Sequence, residues 1–378
     1  MRMCATAQIT LGEELIDKVL IYLDSNYWIN LRRAANDSQT NPAHANLLDM
    51  LRKKVAAGVL LCPISASTFV ELMKQSDSES RLSTSALIDE LSQGVTLVDE
   101  QQRINTEISY FLHSKGTTKW LHPLEHLVWC KLSYVLGFVH PTGTPFDAAT
   151  ELAVQKAFFD HMWTIPLAEV VQLLDDAKDA ADFDVLARRL NDGNALHSGD
   201  LRSFKQTYCA EIRGLVDLYG PVTMDVVEAM ARKEGIRIEY KSEKNRLDDI
   251  TQYKNLLVIA FERDLAPEIL RTIHIHACLH AAVRWNKRRQ LKGNDLFDFH
   301  HASAALAYCD GFFTEASLKT LICQNHLSLD KRYESDSAMR RSSRSFNDQR
   351  DFFRRKSHFA TSSRCIRQSR YPVAIKAL

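Results

Sequence analysis

Short apolar runs alternate with helical periodicities in the first hundred residues of the chain. The runs at 19–23, 59–63 and 95–98 are short, partly β-branched and bounded by turn residues, which is typical of buried strands. Between them, the segments 47–56 and 83–91 repeat their apolar positions at helical spacing. Strands that alternate with helices predict a parallel sheet in an α/β layer fold.

The pattern changes after about residue 100. Long helical periodicities dominate as far as residue 265 and strand-like runs are few, which predicts an all-helical insertion. The alternating pattern returns with a helix through Trp285, a helix over 295–308 and a short apolar strand at 311–314. We therefore expect an α/β protein with a central parallel sheet and a large helical insertion. The expected segments are a first half over 18–115, the insertion over 116–265, a second half over 266–330 and a tail over 331–378.

Composition and charge narrow the class of protein. The chain is 45% hydrophobic and 25% charged, as in ordinary soluble globular proteins. Its net charge of +1 hides an asymmetry, because residues 331–378 carry 13 Lys and Arg against 4 Asp and Glu. The first 330 residues carry 35 against 43. The weak periodicity of the tail predicts disorder, and a tail that contacts nucleic acid is the alternative.

The cysteines and the apolar runs bear on location. Eight cysteines without a CxxC pair favour free thiols in a reducing compartment. No apolar run approaches the roughly 18 residues of a membrane span, and the first residues lack a signal-peptide pattern. We expect a cytoplasmic protein without a membrane partner.

Acidic residues at the edges of apolar segments carry the strongest chemical signal. Asp24 ends the first predicted strand, Glu71 lies on the helix after the second strand, and Asp295 and Asp298 open a late helix. Ligands of open parallel sheets bind at the carboxyl ends of the strands. Carboxylates gathered there would repel one another without a hard cation such as Mg²⁺ or Mn²⁺. The pattern favours a metal-dependent phosphodiesterase.

Four motifs in order resemble the PIN domain, a nuclease fold of toxin–antitoxin ribonucleases and RNA-processing enzymes. They are a strand that ends in Asp24, a Ser/Thr-rich segment leading to Glu71, an Ala-rich helix opened by Asp298, and a short strand that ends in Thr314. The resemblance covers about residues 18–115 and 266–330. It implies a three-layer α/β/α fold around a parallel sheet. In the last motif Glu315 is followed by Ala and Ser, a departure from the family's pattern.

The resemblance also implies a mechanism and partners. It implies an endoribonuclease, of the toxin–antitoxin type or another, that hydrolyses RNA with Mg²⁺ or Mn²⁺. The implied metal ligands are Asp24, Glu71 and Asp298, completed by Asp310 or Glu315, and Asp295 joins the first three as a catalytic candidate. The implied substrate contacts are Asn26 and Thr314. The expected partners are RNA, an antitoxin or other protein, and a second copy of the chain.

Basic and histidine residues near the late helix leave two interpretations each. A basic run precedes the acidic pair and contains Arg288, Arg289 and Lys292. It is interpreted either as a solvated helix end or as a patch that contacts phosphates. The spacing of His276 and His280 suits zinc as well as a packed helix face.

Two other functions remain open at this stage. One is a non-catalytic PIN-like scaffold that binds RNA or protein, and the other is a DNA-directed, structure-specific nuclease. The chain contains no GxxxxGK[ST], GxGxxG or GxSxG motif, which disfavours nucleoside-triphosphate, dinucleotide and serine-hydrolase chemistry.

Overall fold

A computed structural model describes most of the chain up to residue 329. The described residues are 2–39, 41–116, 121–174, 183–197, 199, 201–240, 242–324, 326–327 and 329. The basic tail at 331–378 lies outside them. The strands are β1 (Val19–Leu23), β2 (Leu60–Leu61), β3 (Val95–Leu97), β4 (Trp129–Lys131) and β5 (Gly311–Phe313). The helices are α1 (Arg2–Leu15), α2 (Ser25–Asn36), α3 (Pro42–Ala56), α4 (Ala66–Met73), α5 (Ser78–Ser92), α6 (Glu100–Lys115), α7 (Ala148–Met162), α8 (Leu167–Leu173), α9 (Phe183–Leu196), α10 (Phe204–Lys233), α11 (Glu243–Glu262), α12 (Arg271–Trp285), α13 (Gly293–Tyr308) and α14 (Ala316–Ile322).

A small parallel sheet lies at the centre of a mostly helical protein. Its strand order is β2-β1-β5, and both pairings of β1 are parallel. Val19 lies opposite Leu60 on one side, and Tyr22 lies opposite Phe312 on the other. The last four residues of β1 are buried, as expected for a strand covered on both faces. The α/β class with high helical content is confirmed.

The third predicted strand does not join this sheet as a full strand. β3 pairs antiparallel with β4, with Val95 opposite Lys131, and touches the parallel sheet region only through a bridge between Ile64 and Thr96. The expectation of an all-helical region at 116–265 is therefore wrong at β4. The reason is an apolar run of three buried residues, Val128, Trp129 and Cys130, which forms a strand because it lies beside β3 and pairs with it.

Helices from the middle of the chain share a core with the second half. An apolar cluster joins Ile108 of α6, Ile212 of α10, Leu257 of α11 and Ile273 of α12.

None of the helices within the described ranges is long and apolar enough to cross a membrane.

Polar contacts from α9 hold the start of α13. The backbone N–H of Gly293 donates to the carboxylate of Asp184 at 3.1 Å. The side chain of Asn191 donates to the carbonyl of Leu291 at 2.8 Å and accepts from its N–H at 2.9 Å. A Cβ at position 293 would clash with the Asp184 carboxylate, so this close approach requires glycine. The helix that carries Asp298 is thereby anchored at its first turn.

Candidate functional site

Asp24 lies where β1 ends and α2 begins. It is the N-cap of α2, and its carboxylate accepts hydrogen bonds from the backbone N–H groups of Asn26 at 3.1 Å and Tyr27 at 3.2 Å. Its side chain is buried, and burial raises the pKa of this carboxyl above its usual range. The nearby Thr314 hydroxyl and His301 ring offset only part of the rise in pKa. The cap explains why an aspartate suits this position, and the burial shows that the carboxylate faces the protein rather than water.

Glu71 reaches the same region from α4. Its Oε2 lies 2.7 Å from Nε2 of His301 and accepts a hydrogen bond from the hydroxyl of Ser25. Burial alone would raise the pKa of Glu71, but the contacts with His301 and Ser25 lower it below the usual value. Glu71 is therefore held as an anion beside an imidazole.

Asp298 brings α13 into the same group of acids. Burial, followed by the negative charges of Asp24, Asp295 and Glu71, raises the pKa of Asp298 to about 7, while His301 opposes the rise. Asp298 therefore lies in a partly desolvated place, within electrostatic range of Asp24, Asp295 and Glu71. We call Asp24, Glu71, Asp298 and Glu315 the acidic cluster. It occupies the carboxyl edge of the parallel sheet next to its central strand.

The acidic cluster is not a closed ligand cage. Two groups of the described residues bring three possible metal-ligating atoms within 4.8 Å of one another, and the carboxylates of Asp24, Glu71 and Asp298 are not among them. Like charges without a cation repel, and Nε2 of His301 lies within hydrogen-bond distance of Glu71.

The end of β5 supplies the polar groups opposite Asp24. The Thr314 hydroxyl is buried and lies close enough to the carboxylate of Asp24 to lower its pKa, but it makes no well-formed hydrogen bond with a residue that the structure describes. Glu315 is exposed, accepts a hydrogen bond from the side-chain amide of Asn26, and contributes to the raised pKa of Asp24. Glu315 thus joins the cluster, and Thr314 offers an unused hydroxyl to it.

Asp310 does not join the cluster. It precedes β5, and its carboxylate accepts a hydrogen bond of 2.9 Å from the N–H of Leu20, near the start of β1. Because β1 and β5 run parallel, this places Asp310 at the opposite end of the strands from Asp24. Of the two residues left open by the sequence, only Glu315 is brought to the acidic cluster.

The remaining predicted residues line the start of α13. Asp295 accepts a hydrogen bond from the N–H of Lys292 at 2.8 Å and forms an ion pair with Arg289 at 2.9 Å, so it has a capping role. Arg288 and Lys292 are exposed. Two side chains of the basic run, Arg288 and Lys292, are therefore exposed to solvent, and the third, Arg289, pairs with Asp295.

A buried hydrogen-bond network lies behind Glu71; the sequence allowed His301, one turn after Asp298, to approach the site or to lie on a helix surface, but it did not point to Tyr22. The Tyr22 hydroxyl bonds Nδ1 of His301 at 2.8 Å, Ser65 Oγ at 2.6 Å and Thr68 Oγ1 at 3.0 Å. His301 then connects Tyr22 to Glu71. The signal in the sequence was a tyrosine among the apolar residues of β1, which needs a polar partner when buried.

Comparisons with known proteins assign no relative to this chain. No family model matches it, and neither a curated protein nor a solved structure matches it significantly.

Proposed function

We propose that the protein is a metal-dependent nuclease of the PIN-like type, built as a three-layer α/β/α domain, that cleaves phosphodiester bonds in RNA. The observation that carries the proposal is a pair of contacts that link the segments of Asp24, Glu71 and Asp298 at the carboxyl edge of the sheet. Ser25, next to Asp24, donates to Glu71, and His301, three residues after Asp298 on α13, contacts the same carboxylate. β1 has a parallel neighbour on each side, and the crevice outside such a strand is where open α/β sheets bind ligands.

The residues present fit a hard divalent cation such as Mg²⁺ or Mn²⁺. Burial and, to a smaller extent, neighbouring acids raise the pKa of Asp298, and a cation would offset both effects. Oxygen ligands are available from Asp24, Glu71, Asp298 and Glu315. The buried Thr314 hydroxyl, which finds no partner within the described chain, suits a hydrogen bond to an ion's water. When bound, such an ion supplies an activated water and neutralises phosphate charge.

The chain's own residues would orient this chemistry. His301 fixes the direction of Glu71 and is itself held by Tyr22, so Glu71 cannot rotate freely. Asn26 orients Glu315. The exposed Arg288 and Lys292 are the proposed contacts for the phosphates of an RNA strand beside the cluster. An antitoxin or a second copy of the chain stays a proposal that follows from the family resemblance.

The test is cleavage of mixed RNA by the purified full-length protein with Mn²⁺, and with EDTA as the metal-free control. Asp24→Asn and Asp298→Asn should abolish cleavage, because each removes a charged metal ligand while asparagine preserves the shape and the cap acceptor. Asp49→Asn is the matched control, since Asp49 forms only an exposed ion pair with Lys53. Cleavage by Asp24→Asn at the rate of the unmodified protein would refute the proposal. Single-stranded and branched DNA in parallel reactions separate an RNA enzyme from a structure-specific DNA nuclease.

A non-catalytic scaffold is the second candidate function. Two observations favour it. His301 already occupies one oxygen of Glu71, a proposed metal ligand, and the ligand atoms of the acidic cluster are not among the groups of described residues that lie within 4.8 Å of one another. Under this function, RNA would bind without cleavage and without dependence on Mn²⁺. Gel-shift titration of uncleaved RNA, with and without EDTA, distinguishes the two functions.

A further inference from the structure

A second group of possible metal ligands lies where three helices meet. Glu100 is the first residue of α6, His276 lies on α12 and His300 on α13. Oε2 of Glu100 is 2.9 Å from Nε2 of His276 and 2.8 Å from Nδ1 of His300, and the three ligand atoms all lie within 4.8 Å of one another. We call these three residues the Glu–His–His group. Unlike the acidic cluster, it already has the spacing of a ligand set.

The surroundings leave this group a route to solvent. His300 is 33% exposed and Glu100 is 22% exposed, whereas His276 is 6% exposed. Two of the three side chains are therefore partly open to solvent, whereas the third is buried. His300 follows Asp298 by two positions on α13 and bonds Glu100, whereas the neighbouring His301 bonds Glu71. The Glu–His–His group and the acidic cluster thus use different side chains of one helix.

Other polar groups complete the environment of Glu100. Ser303 donates a hydrogen bond to Oε2 at 3.2 Å, and the guanidinium of Arg103 lies 3.5 Å from the same oxygen. Arg103 also donates to Thr272 at 3.0 Å, so it is held in place behind the carboxylate. His280, the partner that the sequence spacing suggested for His276, only stacks on it at 6.2 Å between ring centroids. The ligand set that the tertiary structure assembles is therefore not the i, i+4 pair.

The donor types point to a transition metal rather than to Mg²⁺ or Ca²⁺. Two imidazoles and one carboxylate suit Zn²⁺, and three protein ligands leave a fourth tetrahedral position for water. We propose that Glu100 Oε2, His276 Nε2 and His300 Nδ1 bind one Zn²⁺ ion that joins α6, α12 and α13. On binding, the ion takes the place of the proton on each of the two ring nitrogens, and that proton leaves to solvent or to the other nitrogen of the ring. The proposal does not depend on the nuclease function.

The first test is zinc binding by the full-length protein after treatment with EDTA. Calorimetry with ZnCl₂, in excess MgCl₂ that competes for sites made of carboxylates alone, should show one tight site per chain. His276→Gln, His300→Asn and Glu100→Gln should each weaken binding by at least roughly tenfold, because even indirect partners of a metal are worth that much. Circular dichroism of each variant checks that it is folded, and three variants on three helices keep the test valid if one of them fails to fold.

Two matched controls locate the ion. His122→Ala removes a ligand from the other group of three close atoms, which consists of Glu13, His122 and His126. The double variant Asp24→Asn/Asp298→Asn removes charge from the acidic cluster. Both controls should keep the affinity for zinc. Absence of zinc binding, or affinity unchanged in the folded His276→Gln and Glu100→Gln variants, would overturn the proposal, as would loss of the site in either control.

Cobalt substitution identifies the ligands directly. Co²⁺ in place of Zn²⁺ should give visible d–d bands of a tetrahedral or five-coordinate nitrogen and oxygen site, without the near-ultraviolet band of a thiolate ligand. The same bands should disappear in His276→Gln. X-ray absorption of the zinc form should show scattering from two imidazole rings, and scattering from fewer than two would contradict the assignment.

Discussion

Replacing Asp298 by asparagine is expected to stabilise the metal-free protein at neutral and alkaline pH. In the folded protein, burial and the charges of Asp24, Asp295 and Glu71 raise the pKa of Asp298 to about 7, from an ordinary value of 3.8. A shift of about three units corresponds to about 4 kcal/mol of unfolding free energy, at 1.36 kcal/mol per unit. Asparagine has the same shape and no charge, so it removes this cost.

The sign of the effect gives a pH window. Between pH 3.8 and about 7 the folded protein holds a proton on Asp298 that the unfolded chain has lost, so this residue makes stability fall as pH rises through the window. Well below pH 3.8 both states are protonated, so the difference between the variant and the unmodified protein should vanish as pH falls toward and below that value. Above pH 7 the variant should be more stable by up to about 4 kcal/mol.

Urea unfolding followed by circular dichroism at four pH values between 4 and 8.5, in EDTA, measures the difference. A change in midpoint without a change in slope identifies a stability effect. Asp295→Asn is the control on the same helix turn. It loses the ion pair with Arg289 and part of the cap, and should therefore be destabilised by about 1 kcal/mol. A difference between Asp298→Asn and the unmodified protein that is constant across pH would refute the electrostatic reasoning.

Three further variants test the parts around the acidic cluster. His301→Gln should lower the rate of Mn²⁺-dependent RNA cleavage by about 10- to 100-fold with little change in RNA affinity, because Glu71 loses the group that orients it. An unchanged rate in single-turnover kinetics would contradict this. Thr314→Val should reduce cleavage and should lower stability in urea by no more than about 1 kcal/mol, since the buried hydroxyl approaches Asp24 but makes no well-formed hydrogen bond in the described part of the chain. A larger loss of stability would contradict this. Tyr22→Phe should destabilise the protein by about 1–3 kcal/mol, because it leaves two hydroxyls and an imidazole without their common partner; a urea midpoint equal to that of the unmodified protein would contradict this.

The local elements were largely predictable from the sequence. β1 has the predicted bounds of 19–23, and the late helix predicted at 295–308 is present as α13. Both predictions rest on local information, namely apolar periodicity and the turn residues at its ends. The same reasoning placed Asp24 at the end of a strand, where its role as the cap of α2 follows from residues next to it in the chain.

The pairing of distant segments was not predictable in this way. β3 pairs with β4 instead of extending the parallel sheet. The carboxylate of Asp310 accepts a hydrogen bond from the backbone of Leu20 and does not join the acidic cluster. Which of two nearby acids joins a site depends on the register between strands that are almost 300 residues apart in the chain. Periodicity carries no information on that register.

The sequence by itself determined the apolar elements and the acids at their ends, because these are set by neighbours along the chain. Only the tertiary structure decided that His301 lies against Glu71, and that Glu100 meets His276 and His300. The physical reason is that a side chain's partners are set by the packing of whole helices, here α4, α6, α12 and α13. This packing removes apolar surface from water over the entire molecule. The charges that converge there are a consequence of that packing, and their energies follow from distances that no local pattern contains.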